Sequence, residues 1–181
     1  DCAPLLIAEV NRQMPRTHGD SSVPLKSLAA WTATDRPLHE HPPSEETPVE
    51  AAIGEQIARL IEDGATIQTG IGSIPDAVLT RLTDKHDLGV HTEMLGDGIL
   101  SLVEAGVVTN GRKNYHHGKM LATFALGSKK LYQFMNRNPA LEMHPVDFTN
   151  DPFLAGQNDN LHAINATMQV ATGAMDCVIA G

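Results

Sequence analysis

The sequence predicts an α/β domain, layered around a mostly parallel sheet. Two observations carry that prediction. Short apolar stretches alternate along the chain with segments whose apolar residues recur at helical spacing. Glycine or proline punctuates most of the junctions between them. No internal repeat or low-complexity tract interrupts the pattern.

Taken in order, Leu5–Val10 reads as a short buried strand, followed by the polar stretch Met14–Asp20. From Asp35 to Pro48 the chain carries Pro37, Pro42, Pro43 and Pro48 and no apolar period, the mark of a linker or long surface loop. A domain boundary is placed there, dividing residues 1–46 from 47–181. Thr47-Pro48-Val49-Glu50 is a capping-box pattern with proline at the first helical position. Val49, Ile53, Ile57, Leu60 and Ile61 then follow helical spacing, and Gly64 supplies the stop. A strand is expected over Ala65–Thr69, a helix from Ser73 carrying Ala77, Val78, Leu79 and Leu82, and a strand over Leu88–Thr92 that leads into Glu93. Asp97 is expected to cap a helix through Ile99, Leu100, Leu102 and Val103 that ends near Gly106. A strand over Leu121–Leu126, a helix over Ser128–Asn136 closed by Pro139, and a strand over Leu141–Val146 complete the series.

Composition narrows the function. With 181 residues, 41% hydrophobic and 19% charged, the chain has the balance of a globular protein rather than a disordered one. Aromatics are only 4%, so its core must be built from Ala, Val, Ile, Leu and Met. A formal charge of -9 leaves no basic stripe to neutralise phosphates, which argues against a nucleic-acid partner. No apolar run approaches the ~20 residues of a membrane-crossing helix, so no membrane partner is expected. Cys2 and Cys177 have no metal spacing and read as reduced thiols of an intracellular protein. The start lacks an initiator Met and a signal-peptide pattern, as expected of a piece of something longer.

Two places have the makings of a site. Gly70-Ile71-Gly72-Ser73-Ile74-Pro75 follows a strand and opens a helix, where free backbone N–H groups can hold an anion. Pro75 stands where a dinucleotide fingerprint needs its third glycine, so the loop is a weak phosphate cradle. It remains a donor-rich turn able to hold a carbonyl oxygen as it becomes an oxyanion. The second place is His91-Thr92-Glu93-Met94. Its His-x-Glu pair lacks the Pro-Cys-x-x-Cys partner of a zinc deaminase. A metal site built from His91, His116, His117 and Glu93 has no supporting pattern, and no metal is expected. Glu93 and Gly70-Ile71-Gly72 both fall at the C-terminal ends of strands expected to be neighbours, where α/β proteins place their ligands. His116-His117-Gly118-Lys119 is a basic turn, and Thr149-Asn150-Asp151-Pro152 is a turn signal. Serine and cysteine nucleophiles are not indicated, since no Gly-x-Ser-x-Gly elbow exists and neither cysteine has a histidine nearby in sequence.

The stretch Gly64-Ala65-Thr66-Ile67-Gln68-Thr69-Gly70-Ile71-Gly72-Ser73-Ile74-Pro75-Asp76-Ala77-Val78-Leu79 resembles the signature of the acetyl-CoA hydrolase/transferase family, which includes the 4-hydroxybutyrate and butyrate CoA-transferases. The likeness continues through Met14–Asp20, Leu88–Met94, Asp97-Gly98, Gly118-Lys119, Phe124–Gly127 and Thr149–Pro152 in family order, covering nearly the whole chain.

The resemblance implies a layered CoA-transferase-type domain and a transfer of coenzyme A between an acyl-CoA, such as acetyl-CoA, and a short carboxylate. It implies Glu93 as the catalytic carboxylate, which carries the acyl group as a mixed anhydride and then CoA as a thioester. It also implies Gly70, Ile71, Gly72, Ser73 and Ile74 as the CoA-ester-binding loop. No permanently bound cofactor is implied, since acyl-CoA and the acid are substrates. A cytoplasmic enzyme that self-associates at full length is the corresponding expectation. Acyl-CoA hydrolysis and non-catalytic CoA binding are the alternatives. Family members are longer, so residues 1–46 are expected to be the tail of a preceding domain plus linker, and 47–181 most of a catalytic domain, incomplete at its C-terminal end. After Met168-Gln169-Val170 a polar, glycine-containing stretch of the family is passed over. The segment Ala171–Asp176 resembles a later glycine-rich piece, which implies Gly173 as a CoA contact.

Overall fold

A computed structural model describes residues 3–41 and 45–166, so Gly173, Cys2 and Cys177 lie outside the described residues. The expected α/β class holds, and every strand pairing among the described residues is parallel.

β1 (Ile7–Asn11) and β3 (Ala30–Thr34) pair only with each other. The expectation of a buried first strand is corrected here, because Ile7 is 65% exposed. A two-stranded ribbon has too little surface to close a core of its own, whatever its composition. β2 (His18–Gly19) lies against β9 (Leu141–Met143). Gly19 has φ +94°, and a Cβ there would overlap the backbone of Met143, so only glycine lets the two strands approach.

α1 (Pro48–Ala58) begins as its sequence predicts. The Thr47 hydroxyl accepts from Glu50 N at 3.3 Å, and the Glu50 carboxylate accepts from Thr47 N at 2.7 Å. Its buried face differs from the expected one. Val49 is 68% exposed and Leu60 lies beyond the last helical residue, whereas Gly54 and Ala58 are buried. Small residues win because α1 lies so close to α2 (Ser73–Leu79) that a Cβ on Gly54 would sit 2.7 Å from Ala77 O.

The core sheet is assembled from two three-stranded pieces. One runs β10 (Leu161–Ile164), β4 (Thr66–Thr69), β5 (Gly89–Val90); the other runs β2, β9, β7 (Met120–Ala122). They meet at residues 91–92. His91 N donates to Ile67 O at 3.0 Å on one side, and Thr92 N donates to Leu121 O at 3.0 Å on the other. Beyond this junction the same two segments continue as the pair β6 (Met94–Leu95) and β8 (Phe124–Ala125). The strand expected over Leu121–Leu126 is therefore interrupted. Thr123 N and Phe124 N both donate to Glu93 O, so two residues of one strand face one of the other in a local bulge opposite Glu93.

α3 (Asp97–Glu104) starts from Gly96 in extended conformation, so Asp97 is its first residue and not its cap. The Asp97 carboxylate is instead turned to the next helix, α4 (Lys129–Met135), where it accepts from Ser128 N at 2.7 Å and Ser128 Oγ at 2.6 Å. The last expected strand stops at Met143, and Pro145 opens the short α5 (Val146–Thr149). Asp151 then caps α6 (Pro152–Ala155) through Phe153 N. Ile67, Leu82, Leu88, Val90, Leu95, Ile99, Leu121, Leu131 and Leu141 fill the interior; among the described residues no Phe, Tyr or Trp is fully buried, and Tyr132 and Phe134 pack against the core from its edge.

Candidate active site

Glu93 sits at the break between β5 and β6, half-buried, and its Oε2 accepts from Asn150 Nδ2 at 2.7 Å. Two open depressions of about 450 and 480 Å³ meet at this carboxylate, and Gln68, Glu93 and Asn165 line both. The first also exposes Gly70, Ile71 and Phe124, and the second Asn150 and Ala155. Gln68 and Asn165 form the ridge between them, with Asn165 Nδ2 donating to Gln68 Oε1 at 2.9 Å. A Cβ at Gly70 would overlap the Asn165 amide oxygen, so a side chain there would displace Asn165 from its place beside Gln68. The structure thus brings two of the sequence-selected elements, the glycine loop and Glu93, to one place at the C-terminal ends of β4 and β5.

Thr92, fully buried, fixes their relative position. Its hydroxyl accepts from Thr69 N at 3.1 Å and donates to Thr69 O at 3.0 Å, with Met94 O at 3.1 Å as a shared second acceptor. The residue before the glycine loop is thereby tied to the residue before Glu93.

Within the loop, Gly70 N is already committed to Ile164 O, whereas Gly72 has φ +120° and ψ 177°. That conformation is essentially glycine's alone. Ser73 donates its hydroxyl to the Glu50 carboxylate, so its side chain faces α1. Gly72 and Ser73 line a separate cleft of about 320 Å³ with Asp76 and Asp97, and Ile71 borders both this cleft and the Glu93 depression. Burial and the neighbouring Asp97 push the Asp76 carboxyl up, against the opposing pull of His41. Ile74 lies half-buried in the first turn of α2.

The histidines separate into different roles. His91 is buried and holds Thr149 O through Nε2 at 2.7 Å, while Nδ1 faces Asn158 Nδ2 at 3.3 Å. Burial first, then nearby Lys113, His116 and His144, pull its pKa below the ordinary value despite the hydrogen bond to Thr149. His116 does not join His91, His117 and Glu93. It pairs with Glu142 at 2.8 Å, and His144 approaches the same Glu142 oxygen at 3.3 Å. Burial alone would raise the Glu142 pKa, but the two imidazoles together bring it below the ordinary value. His116, Glu142 and His144 are the one set of three or more His, Cys, Asp or Glu among the described residues whose ligand atoms all lie within 4.8 Å of one another. The basic turn is likewise spent internally, with His117 on Gly111 O and Lys119 on Pro139 O.

Asn150 and Thr92 are the site residues that sequence reasoning did not single out. The signal for Asn150 was present in the turn Thr149–Pro152, but a turn motif says nothing about which side chain it delivers to a carboxylate.

Residues 127–177 match the family described as acetyl-CoA hydrolase/transferase C-terminal domain. The chain is 49% identical over 170 residues to the 4-hydroxybutyrate coenzyme A transferase of Clostridium kluyveri, a match covering 94% of this chain and 40% of that protein. It is 48% identical to the succinyl-CoA:cyclohexane-1-carboxylate CoA transferase of Geobacter metallireducens, over 91% of this chain and 38% of the relative. Among solved structures, 4-hydroxybutyrate CoA-transferase from Porphyromonas gingivalis superposes with a TM-score of 0.85 at 42% identity, covering 91% of this chain and 42% of that one. RipA from Yersinia pestis superposes with a TM-score of 0.86 at 41% identity, covering 93% and 39%. The chain thus spans about 40% of the length of the curated relatives it matches. Motifs, fold and these matches point the same way: residues 127–177 match the acetyl-CoA hydrolase/transferase C-terminal domain, and more than nine-tenths of the chain is similar to part of a CoA transferase.

Proposed function

We propose that this chain is part of a CoA-transferase that moves coenzyme A between an acyl-CoA and a short-chain carboxylate, with Glu93 as the covalent carrier. The observation that carries the reading is a half-buried carboxylate, gripped on one oxygen by Asn150, that opens onto a depression shared with Gly70 and Ile71. The Glu93 oxygen attacks the thioester carbonyl. The C–S bond breaks, giving a mixed anhydride and CoA thiolate. The thiolate then attacks the Glu93 carbonyl carbon of the anhydride, releases the first acid as its carboxylate and leaves a glutamyl-CoA thioester. An incoming carboxylate reverses both steps and departs as its own CoA ester. A carboxylate is a modest nucleophile, so orientation of the bound ester and donors aimed at the developing oxyanion must supply the acceleration. The 70–74 loop is assigned that role, with its backbone rather than Ser73 Oγ facing the ester. Residues 1–46 belong, on this reading, to the tail of a preceding domain, and the full-length protein is a self-associating cytoplasmic enzyme.

The test uses the full-length protein. Borohydride treatment after incubation with acetyl-CoA should reduce the glutamyl thioester and lower the mass of the peptide carrying Glu93. Glu93→Ala should lose transfer by several powers of ten. A stable Glu93→Ala protein with full turnover sinks the assignment. Thiol release indifferent to added acetate, butyrate or 4-hydroxybutyrate would make the enzyme a hydrolase.

A further inference from the structure

We propose that His91 is a positioning residue for the proposed nucleophile, acting through the Thr149–Asn150 peptide to hold the Asn150 amide on Glu93. The inference rests on the assignment of Glu93 made above and goes one residue deeper.

Its basis is a closed circuit of contacts. His91 lies two residues before Glu93, at the seam where the two halves of the sheet meet. Its Nε2 bonds the carbonyl of Thr149 at 2.7 Å. That carbonyl belongs to the same rigid peptide unit as the Asn150 nitrogen, so fixing it sets the plane from which Asn150 departs. Asn150 Nδ2 then donates to Glu93 Oε2 at 2.7 Å, closing the loop. On its other edge His91 Nδ1 faces the Asn158 amide at 3.3 Å, and Asn158 is itself held by Tyr115 N and Ala155 O.

The chemistry specifies one form of the ring. Thr149 O can only accept, so Nε2 carries the proton. Asn158 Nδ2 can only donate, so Nδ1 must be bare. Both demands are met together only by the neutral Nε2–H tautomer. The surroundings favour neutrality, since burial and the neighbouring Lys113, His116 and His144 all oppose a second proton, with Glu142 lying between the last two imidazoles. Protonating Nδ1 would set an N–H against the Asn158 amide hydrogens and unseat the ring, and with it the Nε2–H bond that holds the 149–150 turn. Asn150 would then lose its register on Glu93.

A buried histidine that merely satisfies its own hydrogen bonds would show none of this in turnover, and the experiment separates the two cases. In the full-length protein His91→Gln keeps a donor and an acceptor, while His91→Leu keeps only bulk. The expected result is a fall in kcat on the order of ten- to a hundredfold for His91→Leu with KM for acyl-CoA nearly unchanged. For His91→Gln we expect kcat near wild type, without the decline toward acid pH that the proposal predicts for the wild type. Nitrogen-15 spectra of the wild type should show Nδ1 unprotonated at neutral pH, a measurement that stands even if His91→Leu does not fold. An imidazolium or Nδ1–H form at that pH overturns the proposal, as does a folded His91→Leu with wild-type kcat or a His91→Gln as impaired as His91→Leu. Glu93→Ala, run alongside, tells the two readings apart. Activity retained there refutes the nucleophile, whereas activity lost there but kept in His91→Leu refutes only the role of His91.

Discussion

Replacing Thr92 by valine keeps the shape of a fully buried side chain and removes only its hydroxyl. Three contacts vanish: the bond accepted from Thr69 N at 3.1 Å and those offered to Thr69 O at 3.0 Å and Met94 O at 3.1 Å. The Thr69 N–H has nowhere else to turn, because the next strand's backbone has already passed to the other half of the sheet. Leaving one buried donor unsatisfied costs about 1–3 kcal/mol, and the upper part of that range, about 2–3 kcal/mol, is expected because the bonds the hydroxyl donates go with it. For a chain of this size that corresponds to a fall in Tm of roughly 5–10 °C. Thr92→Ser is the informative companion, since it keeps the hydroxyl and loses a methyl worth about 1 kcal/mol. Urea unfolding should therefore rank wild type above Thr92→Ser above Thr92→Val, and hydrogen exchange at the Thr69 amide should quicken only in the valine variant. A valine variant as stable as the serine one would refute the claim that this hydroxyl ties the glycine loop to Glu93.

Lys113 is only 3% exposed, donates to Val90 O and Lys119 O, and is pushed down by burial to about 8 from its ordinary 10.5. Between those two pH values the unfolded chain holds the proton that the folded one has released. The stability of the wild type relative to Lys113→Met should then rise with pH by up to ~1.4 kcal/mol per pH unit, and a flat difference across that window would contradict it. Gly72→Ala should cost about 1–3 kcal/mol of backbone strain without any clash, because φ is +120° and a Cβ there meets nothing within 4 Å. If the loop aims donors at the thioester oxygen, transfer per folded molecule should also drop on the order of a hundredfold. A variant that melts early but turns over normally per folded molecule would leave the loop a structural turn only.

Much of the fold was legible because local rules and tertiary demands coincide. Thr47, Pro48 and Glu50 form the helix start that their types require, and Ile67, Val90 and Leu121 are buried as short apolar runs in a parallel sheet should be. What could not be read is which neighbour an apolar residue finds. Val49 and Ile53 have the right period for a buried stripe, yet the packing of α1 on α2 is decided by Gly54 and Ala77, residues with almost no hydrophobic weight. Asp97 looks like a cap for its own helix but spends its carboxylate on Ser128, 31 residues later. In the site, Glu93 and the glycine loop stood out as strand-end features and through a family resemblance. Asn150 and Thr92 did not, because Asn150 acts through one hydrogen bond to Glu93 and Thr92 through its hydroxyl bonds to Thr69, 23 residues away, and no sequence period encodes either.

The all-parallel pairing has a consequence for how the molecule comes into being. Antiparallel neighbours can zip from a turn, but parallel ones must wait for a crossover. Here the partners are far apart: Arg16 bonds Asn136 across 120 residues, and Gln68 meets Asn165 across 97. Loop-closure entropy is therefore spent before these contacts return anything, which predicts a slow folding step governed by topology rather than by helix formation. During synthesis β4 must stand with one edge unpaired until β10 has emerged, since Thr66 pairs with Leu161, 95 residues later. The ridge of Gln68 and Asn165 beside Glu93 is accordingly among the last features to form. A nascent chain halted before Leu161 would present both an open strand edge and an unfinished site, the combination that recruits chaperones or aggregates.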